Sequence, residues 1–436
     1  TPLYSSAASD VYKRQGFNNS TISGNLQLKD YQLNVKANIP EFSYDGKVFN
    51  NIRLESVGGS DSLSTKIAVD DVAISDSFHL PATNLSFVSF NDTSIVSLQT
   101  SASKSISEAS LNARLITFND GINVHFFPSS FILNDKKWTL EKDGEIAFSK
   151  SQLSASEVKF IQGQQQITIF TEPSATGDTH DVVMELSKVS VDDFSALLIK
   201  EPRLEGLLSG NVRISDPFGK TFIENDLFIE EFKLDNDSIG LVKIDGSYDL
   251  AKGVLALKAK ADNKDNQLDI DGVFNLKDST SNQTHVSLKS EKFNLSILNN
   301  YLGDIFSDIQ GSANTTDLTL SGNAKHFLLT GTANINEGSL KVNFTQCKYK
   351  FKNESIVFNP DEIDFGKIEL KDTLNNTAQL SGKMYHRFFD DIEFDNILLE
   401  TDRMLVLNTT KKDNSQFYGK VIGKATLLLT GKAENI

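Results

Sequence analysis

Apolar and polar side chains alternate with period two along nearly the whole chain, from about residue 17 to its end. They do so in segments of about 6 to 10 residues broken by Gly, Asn, Asp and Ser. In residues 241–250, Val242, Ile244, Tyr248 and Leu250 are apolar, whereas Lys243, Asp245, Ser247 and Asp249 are polar. The next segments repeat the pattern. Leu255, Leu257, Ala259 and Ala261 alternate with Ala256, Lys258 and Lys260; Leu268, Ile270, Phe274 and Leu276 alternate with Gln267, Asp269, Asp271 and Asn275. Successive side chains of a strand point to opposite faces, so each segment builds one apolar and one wet face. The pattern predicts an all-β chain, one long sheet with an apolar side, and what covers that side decides what the protein does.

Length alone, at about 150 residues per domain, argues for about three domains, but a repeated element overrides that prior. With 8 prolines, 26 glycines and no Gly/Ser-rich or Pro-rich linker, the sequence reads as a continuous array. Thirty phenylalanines and an apolar fraction of 39% supply a large buried surface and exclude a disordered chain. A net charge of −15 with no basic stripe argues against nucleic acid as a partner. The one cysteine, Cys347, cannot form an intrachain disulfide or a zinc set; its spacing with Tyr349 and Phe351 reads as a small buried strand residue. No apolar run is long enough to cross a bilayer as a helix. Residues 1–15 match neither a signal peptide nor the strand pattern; they resemble adapter-derived read-through and are set apart as a non-native leader.

A short phrase recurs: a hydrophobic strand end, Ser or Thr, then Gly, then a new alternation. Its glycines are Gly24, Gly210, Gly322, Gly331, Gly382 and Gly431. Glycine inside a strand marks a turn, or a bulge or close backbone approach; recurrence in one local frame predicts a regular kink that curls the sheet. Two segments break the strand rhythm. In 190–200, Ser190 and Asp193 read as a capping pair ahead of Phe194, Leu197 and Leu198, and in 294–306, Leu295, Leu298, Leu302 and Ile305 fall close to one helical face. The helix starts lie about 105 residues apart, each followed by a similar bridge into strands, an internal repeat of helix then sheet. The expected divisions are 1–15, 16–189, 190–293 and 294–436.

Catalytic constellations are missing from the sequence, and the chain reads as a non-enzyme without cofactor or metal. His79, His125, His180, His285, His326 and His386 are scattered without HExxH or HxH spacing; no GxSxG, GxxxxGKS/T or GxGxxG is present. The acidic pairs Asp361–Glu362 and Asp390–Asp391 fall at expected turns and read as solvated charge. Trp138 alternates within its strand and reads as packing on the sheet. Two other all-β readings fit less well. An extracellular β-solenoid adhesin or passenger needs a strict coil of about 20 residues, which this sequence lacks, and a β-helical carbohydrate-active enzyme needs carboxylates converging on a groove, which the turn-located acids do not supply.

Residues 308–436 carry a specific series: Gly331 and Gly338 around a strand; Tyr349 and Phe351; Ile363 to Phe365; Asp372 ahead of Ala378, Leu380 and Gly382; His386; Leu407, Asn408 and Thr409; Phe417, Tyr418 and Gly419, then Gly431. In this order they resemble the C-terminal domain of the TamB-type translocation and assembly module proteins, in their Bacteroidetes-like form, within the AsmA-like superfamily. About 130 of 436 residues carry the likeness, and residues 17–307 share only its texture. Where that family has Asp-x-x-Gly-Asn, this chain has DTLNNTA (372–378), and Asn375–Asn376 replaces the glycine because Asn tolerates left-handed backbone.

The resemblance implies a long, U-shaped, taco-like antiparallel sheet with a few short helices. Its apolar inner groove carries phospholipid acyl chains between the inner and outer membranes, with a link to outer-membrane protein assembly and secretion. It also implies a periplasmic location, an inner-membrane anchor in a missing N-terminal part, final strands beyond Ile436, and a TamA-type outer-membrane barrel as partner. About 30 strands at about 4.8 Å each would span on the order of 140 Å. The residues expected to line the groove are Val242, Ile244, Tyr248, Leu250, Leu268, Ile270, Phe274, Leu276, Leu318, Leu320, Leu340, Val342 and Phe344.

Overall fold

The computed structural model describes residues 19–44, 47–73, 79–101, 106–140, 144–149, 152–175, 179–198, 202–276, 284–303, 305–323, 326–387 and 390–432. The leader 1–15 lies outside them. The described chain is all-β: 28 strands in one antiparallel sheet that does not close into a barrel. It divides into two compact units, Thr1–Arg203 with Leu207–Thr221, and Leu204–Gly206 with Phe222–Ile436.

The first unit opens with β1 (Thr21–Gln27), β2 (Gln32–Tyr44), β3 (Lys47–Gly58), β4 (Ser62–Ala73), β5 (His79–Phe90), β6 (Thr93–Thr100) and β7 (Ile106–Thr117), each paired with the next. Shorter strands follow: β8 (Gly121–Phe126), β9 (Ser129–Leu133), β10 (Lys136–Leu140), β11 (Glu145–Ser149), β12 (Leu153–Ser156) and β13 (Val158–Gln162). Here the sheet branches. One half of β7 pairs with β9 and leads through β10 to β13, while the other half pairs with β8 and leads through β11 to β12. β14 (Gln165–Pro173), β15 (His180–Ser190) and β16 (Leu204–Ser215) resume the regular order.

Between β15 and β16 stands α1 (Val191–Leu198), the helix expected there. Its capping pair serves other partners. The Ser190 hydroxyl donates to the Asp192 carboxylate, and Asp193 turns inward to Lys136 Nζ, 2.7 and 2.9 Å away. α1 sets Phe194 edge-on against Trp138, which is fully buried and stacked on Phe131. With Leu133 and Val189 these residues form the main apolar cluster of this unit, so Trp138 is a packing residue, as its alternation implied.

The second unit is a simpler meander: β17 (Phe222–Leu234), β18 (Asp237–Asp249), β19 (Val254–Asp262), β20 (Gln267–Asn275), β21 (Thr284–Asn294), β22 (Phe306–Asn323), β23 (His326–Val342), β24 (Cys347–Asn359), β25 (Glu362–Asp372), β26 (Thr377–Arg387), β27 (Asp390–Thr409) and β28 (Gly419–Lys432). Each pairs antiparallel with the next. Between β21 and β22 the expected helix is instead a 3₁₀ turn, Leu295–Leu298, running into α2 (Asn299–Leu302). The tighter turn moves the buried face onto Leu295 and Ile297, leaving Leu302 and Ile305 exposed; the stripe read at α-helical spacing is corrected accordingly. Asn294 caps the turn by accepting from Ser296 N.

The recurrent glycines behave as kink points. Gly210, Gly322, Gly331, Gly382 and Gly431 have φ between 109° and 133°, and Gly24 is the exception. At Gly382 and Gly431 the cause is visible: both flank Asn396 of β27, an αL residue (φ 50°) where β27 slips register against β26 and β28. At Gly331 a Cβ would lie 2.4 Å from the Asp317 carbonyl oxygen, at a bulge tied by Thr332 N to Asp317 Oδ1 and Thr315 Oγ1 to Thr332 O. Bulges bend and over-twist a strand, so Gly210, Gly331, Gly382 and Gly431, which lie beside register slips, mark local bends, whereas Gly322 sits in an unshifted ladder. Gly331→Val is expected to cost about 2 kcal/mol, read as a lowered urea midpoint with unchanged slope.

Asn375 adopts φ 62°, the left-handed geometry inferred for it from the DTLNNTA turn. Cys347 is fully buried with Tyr349, Ala378, Met404 and Leu405, and burial pushes its thiol up, away from the reactive thiolate.

Candidate functional site

In an antiparallel pair, directly opposed residues share a face. Registers across the second unit therefore define apolar rows running perpendicular to the strands. One row joins Leu227, Ile244, Ala259, Ile270, Leu288 and Leu318 across six successive strands. Two residues along, Leu257, Gly272, Val286, Leu320 and Leu329 form a second row, and Ile223, Tyr248, Leu255 and Phe274 a third. Between them, on the opposite face, stand exposed Lys243, Asp245, Lys258, Lys260, Asp269 and Asp271. The alternation has produced continuous strips, not isolated contacts.

Burial along these strips is graded. At one end the 3₁₀ turn lays Ile297 over Ile239, Val242 and Ala261, with Ile244 and Leu268 packed at the margin; Val242 is 8% exposed. In the middle, Ile244, Tyr248, Ile270, Phe274, Leu318 and Leu320 are half-buried. At the other end Leu250 and Leu276, just past the strands, are 45% and 54% exposed. The principal contacts here between elements that are not hydrogen-bonded neighbours are those of the 3₁₀ turn and α2 with β22, and of β24 with β27. Helical cover is thus local, and the middle of the face stays half-buried except at Gly272 and Val286, which are buried.

Three expected lining residues lie elsewhere. Leu340 and Val342 pack against the buried Cys347–Met404–Leu405 cluster, where β27 comes into contact with β24, and Phe344 is a turn residue between β23 and β24. Registers bring Val242, Ile244, Tyr248, Leu268, Ile270, Phe274, Leu318 and Leu320 to one face, and Leu250 and Leu276 lie just past the strands at its exposed end. The expected lining set left out Leu257, although its alternation already placed it on the apolar side, and also Leu288 and Leu329, whose signal was the same alternation one strand away.

The polar face is a mosaic of small ion pairs. Lys258 lies 3.6 Å from Asp271, and Glu362 of the Asp361–Glu362 turn accepts from Lys383 at 2.9 Å, so that pair is structural charge. The side chains of Asp390 and Asp391 lie outside the described residues. Among the described residues no three His, Cys, Asp or Glu side chains gather as a metal site. An open depression of about 600 Å³ over β19–β22 lies on this charged side, lined by Lys260, Asp262, Asp269, Lys289 and Glu291. No helix among the described residues is long and apolar enough to cross a membrane.

The chain can therefore offer a long half-open apolar surface with a wet back, and its described ionisable groups form scattered pairs. No protein-family profile, curated protein or solved structure matches it.

Proposed function

We propose that the apolar face of the second unit carries lipid acyl chains, as part of a periplasmic conduit moving phospholipid between the inner and outer membranes and linked to outer-membrane protein assembly. One observation carries the reading: the row through Ile270 runs unbroken across six strands yet stays half-buried along its whole length, and the parallel row through Leu320 is buried only at Gly272 and Val286. An apolar side chain left facing water forgoes about 25 cal/mol per Å² of stabilisation, so a long strip of them calls for an apolar occupant. An acyl chain meets the need at about 0.8 kcal/mol per CH₂ kept dry, with its headgroup remaining in solvent. The likeness of residues 308–436 to TamB-type proteins is what suggests the periplasmic setting, the membrane anchor and the TamA-type partner. The antiparallel pairing of each strand with the next in the second unit favours this over a β-solenoid adhesin.

A photoreactive residue at Ile270 or Leu320 in cells is expected to give phospholipid adducts. The same residue at Asp271 or Thr319, their neighbours on the wet face, gives none. Adducts confined to protein, or equal labelling from both faces, would overturn the proposal.

A further inference from the structure

One end of the second unit is built differently from the rest of this acidic chain. The turns Asn343–Gln346, between β23 and β24, and Thr410–Tyr418, between β27 and β28, meet there, with Asn408 N donating to Thr345 O at 2.9 Å. Both are braced. Asn343 N donates to Ile305 O and Asn343 Nδ2 to Gly303 O, while the amides of Gln416 and Phe417 donate to Asn414 Oδ1 and Thr409 Oγ1 to Phe417 O. The side chains these turns hold out to solvent are aromatic: Phe344 is 70% exposed and Phe417 60%, with Tyr418 beside it.

Lysines stand on the same elements. Lys341 faces Lys348 directly across β23 and β24, and Lys350 faces Lys371 across β24 and β25. Lys348 and Lys350 are two residues apart, so both pairs share one face. Lys411 and Lys412 extend the charge into the second turn, where both are exposed. Directly opposed like charges destabilise a sheet, and this arrangement doubles them on adjacent strands. The nearby acids are engaged: Asp308 with Lys341 at 3.7 Å, Glu369 with Lys371 at 3.2 Å, and Asp413 accepting from Thr410. At the other end of the same hairpins the β24–β25 turn carries Asp361 and Glu362, so the excess of positive charge belongs to the aromatic end.

Apolar side chains held rigidly outside the fold, with lysines on their shoulders, match the headgroup layer of a bilayer: rings enter the interface and ammonium groups meet anionic lipid. We infer that this turn end of the second unit docks onto the surface of an anionic phospholipid bilayer. The inference stands on charge and exposure at the turns and does not depend on the groove.

The test uses the full chain with vesicles of phosphatidylcholine alone, or with about a third phosphatidylglycerol. Co-sedimentation is expected to be about tenfold stronger on the anionic vesicles and to weaken with added salt. Lys348→Glu with Lys350→Glu removes that preference, and Phe344→Ser with Phe417→Ser lowers binding by about tenfold or more, with unchanged circular dichroism. In Phe344→Trp, brominated lipid quenches the new indole, whereas Trp138 is fully buried and stays unquenched. Equal binding to both vesicle types, no effect of the paired variants, or no quenching of the indole introduced by Phe344→Trp overturns the inference. The groove is read separately: turn variants keep the lipid adduct at Ile270, so loss of either signal alone identifies which proposal fails.

Discussion

Asp372→Ala is expected to lower stability by about 4 kcal/mol, the largest single-site effect in the second unit. The carboxylate ends β25 almost fully buried and receives four hydrogen bonds. Oδ1 accepts from Leu374 N and Asn376 N, and Oδ2 from Asn376 Nδ2 and Leu405 N, all at 2.8 Å. It thereby fixes the turn to β26 and pins β27 above it, where Tyr349 OH donates to Leu405 O. Truncation strands buried amides that water cannot reach. Burial by itself pushes this carboxyl up, but the hydrogen bonds from the Asn376 side chain and from the Leu405, Asn376 and Leu374 amides together outweigh it and hold it below the usual range. The sign follows: the stabilisation is fully present above the unfolded carboxyl value near about 4 and is lost as pH falls through the lower folded value. Urea midpoints measured from neutral to acid pH should fall less steeply for Asp372→Asn than for the parent in that acid window. A cost below about 1 kcal/mol for Asp372→Ala would show that the four bonds are not the clamp described.

The second large effect belongs to the first unit. Lys136→Met should cost about 3 kcal/mol, because Asp193, with its side chain 1% exposed, would be left among the described residues with the long contact from Asn134 Nδ2 at 3.4 Å beside the helix start. Lys136 itself is partly solvated, so the loss comes from the stranded carboxylate. The double variant Lys136→Met with Asp193→Leu is expected to regain most of that stability, since an apolar pair carries no buried charge. A double-mutant cycle by urea unfolding gives the coupling. Additive single effects would mean that the pair contributes nothing beyond packing.

Much of the fold was legible because period two is a local property. Each of Ile244, Ile270 and Leu318 could be placed on the apolar side from its own neighbours in sequence, and the registers then set them in one row. The glycine phrase was likewise readable, since only glycine adopts φ near 120° without strain, as five of its six members do. Other features depend on partners far away in sequence. Leu340 and Val342 alternate as cleanly as Ile270, yet Met404 and Leu405, more than sixty residues on, pack against their cluster. The 3₁₀ turn at Leu295 left no trace in the spacing of its leucines; its buried Ile297 is chosen by the Val242 and Ala261 it covers.

Sequence by itself determined the all-β class and the side of each strand that is apolar, because alternation acts within a few positions of the chain. Tertiary structure decided where the register slips at Asn396, how β7 serves two partners, and how far each apolar strip remains uncovered. Those outcomes rest on contacts between residues distant along the chain, where close approach of two backbones, not the pattern of either, sets the lowest free energy.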